Sequence, residues 1–158
     1  MTANSRHAIS RRDGLLLGAK AVMALAWATV APNARATTEA QAAAMRSFTQ
    51  GQTPREGRVI LDIAPLVENG NTVPVTVSVI SPMTEADHVQ SIGVFNERNP
   101  QPEVVMFHLG PRAGRADVAT RIRLATSQRV VAIARMNDGR CWMHAVDVIV
   151  TLAACIED

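Results

Sequence analysis

From residue 58 onward, apolar positions recur with a period of two. Val59, Leu61 and Ile63 alternate with Arg58, Ile60 and Asp62. Val73, Val75, Val77 and Val79 alternate with Pro74, Thr76 and Ser78. That period is the signature of a strand with one face buried. Further strands are expected at His88–Asn96, Glu103–Leu109, Ala119–Ala125, Arg129–Met136 and Cys141–Leu152. Turn-formers separate them: Glu68-Asn69-Gly70-Asn71, Ser81-Pro82, Asn99-Pro100-Gln101-Pro102 and Gly110-Pro111-Arg112-Ala113-Gly114. Asn137-Asp138-Gly139 between the last two strands is a hairpin signal. About seven strands with frequent turns and few helical patterns predict an all-β, immunoglobulin-like antiparallel sandwich. The immunoglobulin Cys-Trp-Cys spacing is missing, so only the architecture is implied.

The periodicity changes upstream. Residues 38–49 are rich in helix formers, with Thr37 or Thr38 as a cap, Gly51 as a stop, and Met45 and Phe48 three apart on one face. They read as a short N-terminal helix docked on a sheet, or as a frayed terminus.

Residues 1–36 have the composition of a leader. Arg6, Arg11 and Arg12 precede an apolar run from Leu15 to Val30, and Ala34-Arg35-Ala36 has the small-x-small form of a cleavage site. Arg11-Arg12 sits in Ser10-Arg11-Arg12-Asp13-Gly14-Leu15-Leu16, a twin-arginine (Tat) pattern with Gly14 where Phe is commoner. The alternative is an ordinary secretory signal with an adventitious Arg pair. The reading is a Tat-like signal peptide over 1–36 cleaved after Ala36, a sandwich over 37–152, and a mobile tail over 153–158.

Removing the leader changes the charge argument. The whole chain of 158 residues has a net charge of +2. Residues 37–158 carry 11 Arg, no Lys and 13 acidic residues, a net of −2. That balance offers no basic face for nucleic acid. The apolar run is too short and broken for a comfortable membrane span. An exported, periplasmic product is expected.

Chemistry is sparse. The two cysteines are Cys141 and Cys155. If Cys141–Leu152 is one strand, its rise carries the chain roughly 35–40 Å at about 3.3 Å per residue. Paired cysteines need Cα atoms about 4.4–6.8 Å apart, so an intrachain disulfide requires that strand to be wrong. A Cys155–Cys155 bridge between two chains stays open. Cys141, beside Trp142 at a strand start, reads as a packing residue. Cys155 reads either as a thiol on a mobile arm, able to enter another protein's cleft, or as a small apolar residue in a fraying strand. Glu157, Asp158 and the terminal carboxylate disfavour its thiolate, so activation must come from a partner.

His88, His108 and His144 stand on three different expected strands and share no ligand spacing, so no metal site is assigned. Arg112, Arg115, Arg121 and Arg123 form a basic stretch that serves an anion or an acidic partner, or is a solvated face. No phosphate loop, nucleophile elbow or cofactor motif is present. The chain reads as a non-enzyme without a cofactor.

Four strings occur in order: Val67-Glu68-Asn69-Gly70-Asn71-Thr72-Val73-Pro74-Val75, Ser81-Pro82-Met83-Thr84-Glu85-Ala86-Asp87-His88-Val89, Phe95 through Asn99-Pro100-Gln101-Pro102, and Thr120-Arg121-Ile122-Arg123-Leu124-Ala125. Together they closely resemble the SoxY family, the carrier subunit of the SoxYZ sulfur-oxidation complex. The resemblance implies an immunoglobulin-like sandwich that forms a heterodimer with a SoxZ-like subunit. It also implies a sulfur intermediate held as a thioconjugate on the C-terminal cysteine, here Cys155. Sox-type cytochromes and a hydrolase would then be its partners in thiosulfate oxidation.

The departure is at the arm. SoxY proteins end in Gly-Gly-Cys-Gly-Gly, whereas this chain ends in Ala153-Ala154-Cys155-Ile156-Glu157-Asp158. It resembles the SoxY-related "AACIE arm" group, which implies quinoprotein dehydrogenase partners. The alternative reading is a non-covalent immunoglobulin-like interaction module pairing with a SoxZ-like subunit.

Overall fold

The computed structural model describes residues 38–152. One helix, α1 (Thr38–Thr49), precedes nine strands: β1 (Arg55–Glu56), β2 (Val59–Asp62), β3 (Leu66–Asn69), β4 (Val73–Val79), β5 (Val89–Asn96), β6 (Glu103–His108), β7 (Ala116–Ile122), β8 (Gln128–Met136) and β9 (Cys141–Leu152). The expected all-β sandwich is present, with nine strands rather than about seven.

The large sheet runs β1-β9-β8-β5-β6, with β3 also on β9; the small sheet is β2-β4-β7. Between them lies a core of β-branched and small residues: Val59 and Leu61 from β2, Val73–Val79 alternately from β4, Ile92 and Val94 from β5, and Val130, Ala132 and Ala134 from β8. β4 follows the expected alternation, with its four valines buried.

β5 and β8 do not alternate: Ser91 through Asn96 and Val130 through Ala134 are all buried. Both faces of these strands are covered, one by the small sheet and the other by α1. The α1 face holds Phe48, Phe95, Val131, Ile133 and Cys141. Phe48 meets Phe95 edge-to-face with centroids 5.5 Å apart. Gly93 makes room for this contact: a Cβ there would lie 2.8 Å from Phe95 Cε2 and 3.2 Å from Phe48 Cε2.

The helix ends by a Schellman motif. Gly51 N–H donates to Arg46 O at 3.0 Å and Gln50 N–H to Ser47 O at 3.2 Å. The left-handed residues are Gln50 (φ 54) and Gly51 (φ 80), so the expected stop at Gly51 starts one residue earlier.

The two additional strands, β1 and β3, both run parallel to β9. Neither is long enough to show a period. Each exists because β9 is 12 residues long and offers an edge away from β8. The β7 frame also differs from expectation, spanning Ala116–Ile122 rather than 119–125, because Ala116 through Val118 pair with Val79 through Val77. Leu124 and Ala125 are buried but lie beyond the strand. Among the described residues, no helix is long and apolar enough to cross a membrane.

Candidate functional site

The expected attachment residue, Cys155, lies outside the described residues, as do Arg11, Arg12, Ala34 and Ala36. What the structure describes is the root from which residues 153–158 continue.

β9 enters that root as one uninterrupted strand. It pairs antiparallel with β8 from Cys141↔Arg135 to Val148↔Gln128. Beyond Val148 the β8 partner is gone, and two devices replace it. On the β8 side, Val150 N–H donates to Ser127 Oγ at 2.9 Å. On the opposite edge, β3 pairs through Leu66↔Ile149, Val67↔Val150 and Asn69↔Leu152. Ile149 N–H donates to Pro65 O at 2.8 Å, and Gly70 N–H donates to Leu152 O at 2.9 Å. Thr151 Oγ1 adds a bond to Glu68 O at 3.2 Å. The strand is therefore hydrogen-bonded through its last described residue.

Three loops are tied together around this exit. Gly70 also accepts from Leu124 N–H at 2.8 Å, linking the β3–β4 turn to the chain after β7. Asn69 Oδ1 accepts from Asn71 N–H at 2.9 Å and closes the turn as an Asx-turn. Asn99, in the β5–β6 loop, donates from Nδ2 to Arg123 O at 2.7 Å and accepts at Oδ1 from Ala125 N–H at 3.0 Å. Gln128 Nε2 donates to the same Oδ1 at 2.9 Å, while Gln128 Oε1 accepts Arg98 N–H at 2.9 Å. Asn99 and Gln128 thus bind loops far apart in sequence into one collar.

Three of the four strings that carry the family resemblance form this collar: Val67–Val75, Asn99–Pro102 and Thr120–Ala125. The fourth, Ser81–Val89, lies at the other end of the sandwich. There, Arg58 Nη1 bonds both carboxylate oxygens of Asp87 at 3.2 Å. The same guanidinium sits 5.5 Å from the Trp142 ring centroid. The sequence singled out Asn99 and Gly70 as turn residues only. Their bonding roles, and those of Ser127 and Gln128, depend on contacts across the fold and carry no local signal.

Cys141 is buried on the α1 face at the far end of β9. Its Sγ lies 3.7 Å from Gly139 O. Burial pushes its thiol pKa up, against a smaller opposing effect of Arg135. It is a packing residue, as expected, and the continuous β9 separates it from the tail.

The three histidines do not meet. His88 precedes β5, with Nδ1 3.0 Å from Thr84 O. His108 is exposed at the end of β6. His144, on β9, accepts Leu61 N–H at Nδ1 at 2.9 Å and so caps the free edge of β2. Among the described residues, no group of three or more His, Cys, Asp or Glu could hold a metal ion. The four arginines are also split. Arg112 and Arg115 lie before β7, with Arg115 3.5 Å from Asp117 in an exposed pair, while Arg121 and Arg123 lie at its far end.

The fold and the site define a two-sheet sandwich whose last strand is held to its end and continues into a cysteine-bearing tail. The family model for the sulfur oxidation protein SoxY matches residues 45–155, so its last matched residue is Cys155. The chain belongs to the SoxY family.

Among solved structures, the chain is similar to the sulfur carrier protein SoxY from Chlorobium limicola f. thiosulfatophilum. Identity is 24% and the TM-score 0.60, over 73% of this chain and 100% of that one. A superoxide reductase (neelaredoxin) from Ignicoccus hospitalis matches at 19% identity and TM-score 0.53, over 60% of this chain and 80% of that one. A superoxide reductase from Nanoarchaeum equitans matches at 11% identity and TM-score 0.51, over 61% of this chain and 100% of that one. At these identities the likenesses establish the sandwich fold and not a shared activity. No curated protein matches the chain in sequence.

Proposed function

We propose that this chain is a sulfur carrier subunit that binds a sulfur-containing group covalently at Cys155 and presents it to partner enzymes. The observation that carries this reading is the family match running through Cys155. The hydrogen-bonded end of β9 supports it, because a thiol three residues beyond a fixed root is presented from a defined place on the sandwich.

The chemistry is sulfur–sulfur bond formation. Joining Cys155 Sγ to the sulfur of a thiolate-type anion forms one S–S bond. It releases the thiol proton and two electrons. The electrons pass to an electron-accepting partner of the Sox-type cytochrome class. The sandwich contributes placement and partner recognition, and the enzymes contribute the reaction.

Residues 1–36 act in this reading as a Tat-type signal peptide that places the folded carrier in the periplasm, where it pairs with a SoxZ-like subunit. The Ala-Ala-Cys-Ile-Glu sequence of the tail supports reading it as the AACIE-arm variant, with quinoprotein dehydrogenase systems as its partners.

Intact-mass measurement of the protein isolated from substrate-fed cells tests the proposal. A reductant-sensitive mass increase, absent from Cys155→Ser, is expected. An unmodified mass that neither reductant nor Cys155→Ser changes would overturn it.

A further inference from the structure

β7 ends the small sheet, and its second edge faces no strand among the described residues. The ladder fixes which of its backbone groups point there. Ile80 N–H donates to Arg58 O at 2.8 Å, in register with the β2–β4 pairing. Hydrogen-bonded pairs alternate along an antiparallel ladder, so even-numbered groups of β4 turn to β2 and odd-numbered ones to β7. Val73, Val75, Val77 and Val79 stand opposite Ile122, Thr120, Val118 and Ala116. These residues of β7 spend their backbone groups on β4. Asp117, Ala119 and Arg121 therefore turn theirs to the free edge. Arg123 continues the series, and its carbonyl is taken by Asn99 Nδ2.

Free edges are commonly blunted by proline, lysine or a bulge. β7 has no proline and no lysine, and its register on β4 has no shift. Its two charged residues are opposite in sign and lie symmetrically about Ala119, and all three are exposed. An edge of that kind is complementary to itself.

We infer that the β7 edge pairs with the same edge of a second copy, antiparallel about Ala119. Asp117 then lies opposite the partner's Arg121, and Ala119 opposite the partner's Ala119, in an isologous contact. Each opposed pair consists of residues with free backbone groups, so each exchanges both of its N–H···O bonds and the two small sheets become one. Opposite charges across the strands stabilise this register. Arg115 lies 3.5 Å from Asp117, an exposed pair that competes weakly. Beyond the ladder Arg115 comes toward the partner's Arg123, a repulsion that keeps the dimer weak. The antiparallel arrangement sets the two collars, and so the roots of the two tails, at opposite ends of the pair. The inference goes beyond the carrier reading and does not depend on it, since Cys155 takes no part.

Sedimentation analysis of the Cys155→Ser protein, which cannot form a bridge at that cysteine, tests the inference. A concentration-dependent monomer–dimer equilibrium is expected. Asp117→Arg and Arg121→Asp should each weaken self-association about tenfold or more, because each turns both ion pairs into like-charge contacts. An equimolar mixture of the two variants should restore association, because every opposed pair again has opposite signs. Hydrogen exchange should slow with rising protein concentration at the amides of Asp117, Ala119 and Arg121. It should not change at Val118 and Thr120, which β4 already holds. A monomer at every concentration overturns the inference, whether or not a different subunit takes this edge. Dimers that both variants leave intact, or that the mixture fails to restore, overturn the register. Exchange that does not respond to concentration at Asp117, Ala119 and Arg121 overturns the edge pairing. None of these outcomes bears on the mass shift at Cys155, so the two proposals fail separately.

Discussion

Gly70 joins Leu152 and Leu124 in one stroke: its N–H donates to Leu152 O at 2.9 Å, and its carbonyl accepts Leu124 N–H at 2.8 Å. One residue, through its two flanking peptide units, thus ties the last described residue of β9 to the loop after β7. Asn99 ties that loop in turn to the β5–β6 connection. The position from which the tail departs is set by backbone and amide hydrogen bonds, which are directional, rather than by apolar packing, which is not.

Asn99→Ala should therefore loosen the collar. It removes the bond to Arg123 O and leaves Ala125 N–H and Gln128 Nε2 without the oxygen they share. Ala125 is buried, so its N–H does not recover a water freely. The expected cost is about 2–3 kcal/mol by urea denaturation, with the far-ultraviolet spectrum unchanged. A loss under about 0.5 kcal/mol would place Asn99 among ordinary surface residues.

Cys141 should behave as a protected thiol. It is 3% exposed, and burial raises its pKa. Titration of the native protein with a thiol reagent should modify one cysteine, which Cys155→Ser abolishes, and two after denaturation. The sign of the pH effect follows from the raised value. The folded state holds the Cys141 proton longer than the unfolded chain does, so its contribution is whole below the unfolded thiol value of about 8.5 and is lost as pH rises through the folded one. The stability advantage of the native protein over Cys141→Ala should shrink between pH 8 and pH 11. A constant difference across that range would contradict the assignment.

Gly93→Ala tests the docking of α1. The added Cβ would sit 2.8 Å and 2.9 Å from two atoms of the Phe95 ring and 3.2 Å from Phe48. Phe95 is fully buried and cannot swing away. The expected cost is about 1–3 kcal/mol from overpacking. Hydrogen exchange should accelerate in Thr38–Thr49 more than in β4, which does not touch the helix. Equal acceleration in both would mean that α1 is not the element displaced.

The sandwich was legible where one strand face is dry and the other wet. Val73 through Val79 alternate in sequence and in burial. Cys141–Leu152 was readable end to end because Asn137-Asp138-Gly139 fixes its start. β1 and β3 were not, since Arg55–Glu56 and Leu66–Asn69 are strands only by virtue of the β9 edge they pair with. Leu124 and Ala125 misled the frame of β7 because burial in a tethered loop has the same hydropathy as burial in a strand. The tail cysteine stood out by position and family likeness. The collar that holds its root did not, because Asn99 reaches partners 24 to 29 residues away.

The tail itself yields a test of partner choice. Glycines flanking a carrier cysteine give slimness and backbone freedom. Ala153, Ala154, Ile156 and Glu157 add Cβ atoms, a branched apolar group and a charge in their place. If partner clefts are matched to the arm they receive, the native tail is a poor substrate for enzymes that accept a glycine arm. Replacing Ala153, Ala154, Ile156 and Glu157 together by glycine should raise turnover with such enzymes at least tenfold, read as the rate of sulfur conjugate formation at Cys155 in a reconstituted mixture with a SoxZ-like subunit. The collar is untouched by these changes, so Tm should stay within about 1 °C. Equal turnover of the two tails would show that the flanking residues do not set partner choice. Recognition would then have to lie on the sandwich, with the outward faces of β2, β4 and β7 the next surface to vary.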